Sequence, residues 1–371
     1  MATSTIPTPP IAYWTGNVNA NWNTVNQAAN ATNWATDATG AADADYFPGS
    51  PTDVFFTTSS HGANLGTTLA ADFSIKGLTF TSDATSAVTI GGTNKLTLGV
   101  DGITVQSGAA APVINAPVTL GSAQNWTIDG ANSLIVNGSL STAGFALTKM
   151  GTGTLTLGGV PNLALNTTLN VGAGTLILQV TGPPTIGSGV TVSVSSGATL
   201  QLAGSVSALS NGTARVNVTN SSTAAGTGIV VSGTHQQVGN IDGTGTTTVN
   251  AESDLTANHI VQSALIIGGA SGSPAQVTIA ASDASGNPLG QSSGLALAGS
   301  LTPSDPFTSG SPNSPNLLAS GGSSASGSTT GGGNLSGDNL GNSAAVPEPT
   351  TLVPALLGLA ALGCIGRRKR K

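Results

Sequence analysis

An all-β fold, a parallel β-helix, is what this sequence predicts, and three observations predict it. First, residues 70–279 run as short segments in which apolar residues alternate with Thr, Ser or Asn, as at 77–80, 95–98, 133–136, 153–157, 174–178 and 198–202. Alternation sends the apolar set to one side of a strand and the polar set to the other. Second, neighbouring segments start about 7–10 residues apart and are joined by Gly, Asn, Asp and Ser, small residues suited to tight corners. Third, no stretch before the C-terminal tail sustains a helical period. Such segments are too short to stand alone, and stacking them in coils buries one continuous apolar seam. A β-sandwich is the competing architecture, because short strands with frequent turns also build one.

Composition narrows the function classes. The chain has 371 residues, of which only 6% are charged, against about 25% in an ordinary globular protein. Five of its nine Lys and Arg residues are the last five. The remaining 366 residues hold Lys76, Lys95, Lys149 and Arg215 against 15 acids, a net charge of −11. A nucleic-acid-binding face needs clustered cations and is excluded on that ground. Nothing marks the four cations as clustered, so they read as surface solubilisers. The single cysteine, Cys364, allows no intramolecular disulfide and reads as a small apolar filler.

Four regions follow in order. Residues 1–69 hold most of the aromatics, including Trp14, Trp22 and Trp34 within one 21-residue window. These three are either a sugar-stacking platform or an aromatic plug closing one end of the coil; the plug is favoured because open-ended repeats need a cap. Residues 51–57 read as a strand. Residues 70–298 form the repeat domain, less regular between 205 and 258. Residues 299–345 turn to Ser, Gly, Asn and Pro with almost no charge, the composition of a flexible linker, with an r.m.s. reach of roughly 40 Å.

Residues 346–371 have three parts. Val346, Pro347, Glu348 and Pro349 are a polar, extended tetrapeptide; residues 352–365 are a 14-residue apolar run; Arg367, Arg368, Lys369, Arg370 and Lys371 are a basic end. A stable span takes about 20 residues; with the uncharged Thr350, Thr351 and Gly366 this short hydrophobic helix reaches 17, the lower limit of a transmembrane segment. The basic end stays cytoplasmic by the positive-inside rule, which places the preceding chain on the other side. The first ten residues show neither a basic nor an apolar leader region, so the expectation is that the start given is internal or that the form is mature or truncated.

These three parts, in this order at the extreme C-terminus, resemble the PEP-CTERM sorting signal of Gram-negative bacteria. The resemblance covers 26 residues and implies an address rather than an activity. It implies export, recognition and processing by exosortase, a membrane cysteine protease, transient residence in the inner membrane, and delivery to the cell surface or extracellular matrix. Species bearing it typically make exopolysaccharide, which makes that polymer a candidate partner.

A second resemblance is local. Leu147-Thr-Lys-Met-Gly-Thr-Gly-Thr-Leu-Thr-Leu-Gly-Gly159 and Leu169-Asn-Val-Gly-Ala-Gly-Thr-Leu-Ile-Leu178 look like the autotransporter-associated β-strand repeat. It implies a β-helical stalk with a surface role. Autotransporters end in a membrane β-barrel of many amphipathic strands, and none follows here, so self-transport is not implied.

Candidate chemistry is sparse. Asp37, Asp43 and Asp45 lie in one loop but lack the Asp-x-Asp-x-Asp-Gly order of a calcium loop and read as solvated acids. His61, His235 and His259 are isolated, without the spacing of a zinc site. No Gly-x-Ser-x-Gly elbow sits beside a suitable acid and His. Asn30, Asn166, Asn211, Asn217 and Asn220 begin Asn-x-Ser/Thr triplets, incidental in so Ser- and Thr-rich a chain. No cofactor and no metal are expected. The function expected is a non-enzymatic envelope or extracellular-matrix protein of structural or adhesion type. The alternative is a carbohydrate-active β-helix enzyme, a polysaccharide lyase or hydrolase, with the same tail. It requires two carboxyls, or a carboxyl and a cation, converging in one groove.

Overall fold

Three strands make one turn of this chain, one on each of three faces. The computed structural model describes residues 8–26, 31–57, 64–268 and 275–280, with the backbone of Leu295–Leu297, Leu301–Pro303 and Leu317–Ala319. All of these fall within one unit, Met1–Gly327, whereas Ser328–Lys371 lies outside the described residues. The described residues are all-β without a helix and form a parallel β-solenoid of about nine turns.

One coil shows the plan. Leu140–Ser141 lies on the first face, Leu147–Met150 on the second and Thr154–Leu157 on the third. The next coil repeats it with Asn162–Leu163, Thr168–Val171 and Thr175–Leu178. Each strand pairs in parallel with its counterpart, as in Leu147↔Leu169 and Leu155↔Leu176. The two stretches quoted above as repeat-like are therefore adjacent coils in register. The sequence showed segments but not their grouping by three, because first-face strands here are only two residues long and carry almost no periodic signal.

Inward positions stack by type. On the third face, Leu134, Leu155, Leu176, Leu200 and Ile229 form one continuous buried row. Burying each such side chain is worth about 1.5–3 kcal/mol relative to exposure. The outward row beside it reads Ile135, Thr156, Ile177, Gln201 and Val230. Past Leu202 the chain makes an irregular excursion with a Ser210↔Arg215 antiparallel bridge. The first face then resumes as a separate sheet of Gln236–Gln237, Asp254–Ala257, Gln276–Ile279 and Leu317–Ala319.

In the first full coils one strand spans two faces. Leu96–Val105 pairs with Val118–Leu120 through its first half and with Gln124–Ile128 through its second. The bend needs Gly102, whose φ is 60° and whose added Cβ would lie 2.1 Å from the Asn125 carbonyl oxygen. Gly102→Ala is expected to cost about 2–4 kcal/mol, from left-handed backbone strain plus overpacking against fixed backbone. Urea unfolding checks this; a loss below the scatter of surface substitutions would refute it.

Two boundaries move. Asp53–Phe56 already pairs in parallel with the second half of Phe73–Phe80, and Gly66–Thr68 with Thr89–Gly91, so solenoid ladders begin inside the region assigned to the cap. The alternation of Asp53, Val54, Phe55 and Phe56 is that of any other rung. At the other end, Leu301–Pro303 and Leu317–Ala319 continue two ladders inside residues 299–345, which composition assigned to a linker. Their short apolar runs were diluted by the surrounding Ser and Gly. The rest of that segment lies outside the described residues.

The N-terminal end is closed by chain reversal. Ile11–Trp14 pairs in parallel with Asp53–Phe56 and antiparallel with Trp34–Ala35, which ends the ladder of the second face on that side.

Candidate functional site

The three N-terminal tryptophans are not a sugar platform. Trp14, Trp22 and Trp34 are each 0% exposed. Trp34 meets Trp14 and Trp22 edge-on at centroid separations of 4.9 and 5.0 Å, and Trp22 also packs on Phe73 at 5.3 Å. Each indole N–H donates internally: Trp14 to the Asn64 carbonyl (2.9 Å), Trp22 to Thr67 Oγ1 (3.0 Å) and Trp34 to the Trp22 carbonyl (2.9 Å). A buried indole must find such a partner, and with faces and N–H groups occupied none of the three can stack a sugar. For Trp14 the cause is parity: Ala12 and Trp14 point inward, and Ile11 and Tyr13 point outward.

That parity puts a different aromatic pair outside. Tyr13 and Phe55 are half-buried and stacked, with centroids 5.0 Å apart and planes at 27°. Beside them Lys76 bridges two acids, bonding Asp53 at 3.1 Å and Asp101 more closely. Hydrogen bonds to Asp101 first, and then to Asp53, raise the Lys76 pKa above its ordinary value. The three residues come from successive coils, so only the solenoid register brings them together.

Lys149 corrects the reading of all four cations as solubilisers. Its side chain points inward on the strand Leu147–Met150 and is 0% exposed, stacked in register between Trp126 and Val171. The ammonium donates to three corner carbonyls, Met150 and Gly151 at 2.8 Å and Ala173 at 3.1 Å. Burial pushes its pKa down to about 8, partly offset by the Asp129 charge. Buried amides serve the same purpose elsewhere. Gln124 donates to Leu98 and Ser122 carbonyls, and Gln236 to Gly204, Val206 and Thr234 carbonyls. Tight corners leave carbonyls turned inward, and long polar side chains on inward positions satisfy them.

Most of the other residues singled out from the sequence are locally engaged. Arg215 donates to Asn258 Oδ1 at 2.9 Å, and Lys95 lies 3.8 Å from Asp72. His259 Nε2 sits 2.7 Å from Asp242 Oδ1, and Asp254 accepts the His235 backbone N–H. Asp37 folds its own loop, accepting from the Thr39 hydroxyl and the Ala42 N–H; these bonds lower its pKa to about 2. Asp43 accepts from the Thr32 and Asp45 N–H groups. Among the described residues no group of three or more His, Cys, Asp or Glu is placed to hold a metal ion. His61, Asn30 and the tail residues Val346, Pro347, Glu348, Pro349, Arg367, Arg368, Lys369 and Arg370 lie outside the described residues, as does the short C-terminal apolar segment. No helix among the described residues is long and apolar enough to cross a membrane.

Fold and tail together define a β-solenoid carrying a C-terminal sorting motif. Residues 345–371 match the family model of the PEP-CTERM protein-sorting motif. That motif implies export and cell-surface sorting, with recognition by an exosortase, a membrane protein. No curated protein and no solved structure matches the chain.

Proposed function

We propose that this chain is a non-enzymatic structural or adhesion-type protein of the cell surface or extracellular matrix. An exosortase-like protease would process its tail after a transient stage in the inner membrane. The carrying observation is the sorting motif at 345–371 behind a solenoid. The likeness of residues 147–178 to autotransporter-associated repeats supports a stalk-like surface role. The described cations support a non-catalytic reading, since Lys76, Lys95, Lys149 and Arg215 are each held by neighbouring side chains or carbonyls. Exopolysaccharide is the proposed partner class.

Cell fractionation tests the sorting step. The intact chain and a form with Glu348→Ala and the five basic residues replaced by Ser are expressed in the same host. The intact chain is expected in the surface or medium fraction at a reduced mass, and the variant at full mass in the membrane fraction. Identical mass and location for both would refute processing at this tail.

A further inference from the structure

The outer side of the second face carries a strip unlike the rest of that face. One row runs Tyr13, Phe55, Thr79, Thr104 and Thr127 in continuous register. The neighbouring row runs Ile11, Asp53, Gly77 and Gly102. Lys76 and Asp101 flank it at the corner, where Asp101 and Asp53 both lie over Gly77. Further along, the same face is lined by Thr148, Asn170, Ser193 and Thr219, small polar residues without an aromatic.

The aromatic pair is not needed for the core. Trp14, Trp22, Trp34, Phe56, Phe73 and Phe80 already fill the interior at this end. Tyr13 and Phe55 instead hold apolar surface at a water-facing position, beside Ile11 at 40% exposure. Beside that surface stand three hydroxyls, one per coil, about 4.8 Å apart as set by strand pairing. That interval is close to the length of one pyranose unit. The Asp53 and Asp101 carboxylates are held in place by Lys76 and are acceptors only. An aromatic surface for C–H groups, spaced hydroxyls and fixed acceptors are the complement of a polyhydroxylated chain.

We propose that this strip binds a neutral polysaccharide running along the solenoid axis. Sugar C–H groups pack against the outer edges of Tyr13 and Phe55, whose facing sides are stacked on each other. Sugar hydroxyls donate to Asp53 and Asp101 and exchange hydrogen bonds with Thr79, Thr104 and Thr127. Charge selects the neutral class, because the residues before the tail hold 14 acids against four cations and repel polyanions. The proposal deepens the polysaccharide-partner reading above and rests on it, but not on tail processing.

Native electrophoresis of the full chain in gels containing hydroxyethylcellulose, galactomannan or alginate tests it. Retardation is expected in at least one neutral gel and not in alginate. A Tyr13→Ala/Phe55→Ala double variant is expected to bind about tenfold more weakly, as for loss of a central aromatic contact. Thr79→Val/Thr104→Val keeps strand propensity and removes only the hydroxyls; it too should weaken retardation, and it decides the matter should the aromatic variant fail to fold. No retardation in either neutral gel, equal retardation of parent and variants, or stronger retention in alginate would overturn the proposal. Fractionation of the same variants should be unchanged, so a failure here leaves the sorting reading standing.

Discussion

Lys149→Ala is expected to lower the unfolding free energy by about 3–5 kcal/mol, the sum of a lost buried stem and carbonyls left without donors. The lysine stem packs between Trp126 and Val171, and its ammonium is the donor to Met150, Gly151 and Ala173 carbonyls. Lys149→Met keeps most of the stem and removes both charge and donors. It should cost about 1–3 kcal/mol, because relief of a buried charge offsets part of the lost bonding. The two variants together separate packing from hydrogen bonding.

The same residue gives a pH signature. Its folded pKa is lowered from 10.5 to about 8 by burial. Between those values the unfolded chain binds more protons than the folded one, so stability contributed through this group rises with pH. Below pH 8 the group is protonated in both states and contributes no slope. Denaturant unfolding of parent and Lys149→Met from pH 7 to pH 10 should therefore show a difference that widens in favour of the parent above about pH 8. A constant difference would show that burial does not penalise this ammonium.

Trp22→Ala is the second large effect, expected at about 3–5 kcal/mol. Trp22 touches Trp14, Trp34, Phe56 and Phe73, so its removal opens a cavity at the centre of the aromatic cluster. Solenoid stability is a sum of coil and nearest-neighbour terms, so damage at one end stays near that end. Hydrogen exchange should show faster exchange in Ile11–Trp14, Asp53–Phe56 and Phe73–Phe80, with Thr154–Leu157 and Thr175–Leu178 unchanged. Uniform acceleration along the chain would instead mean that the whole coil unfolds as one unit.

Legibility in the sequence followed parity wherever strands were at least four residues long. Leu155 and Leu157, or Leu176 and Leu178, announce their inward side by alternation alone. The same rule, applied strictly, places Lys149 inside, since it shares parity with Leu147, and leaves Tyr13 outside. Residue type argued the opposite for Lys149, since a charge suggests water, and for the neighbouring Trp14 it left display open beside the favoured plug. Type misleads here because corners create inward-facing carbonyls that a lysine can satisfy, and because the first coil needs bulk to fill its end. The Asp53, Lys76 and Asp101 grouping was not legible at all. Its members are more than 20 residues apart and meet only through coil register, which no local pattern encodes.

The aromatic cluster has a consequence for passage across a membrane. Its rings, from Trp14 to Phe80, all precede the later coils in the chain, so they emerge before those coils if translocation runs from the N-terminal side. These contacts can form before any later coil exists, and each following coil then needs only the finished one beneath it. Folding on the far side would act as a ratchet, each closed coil opposing backsliding of the chain still in transit.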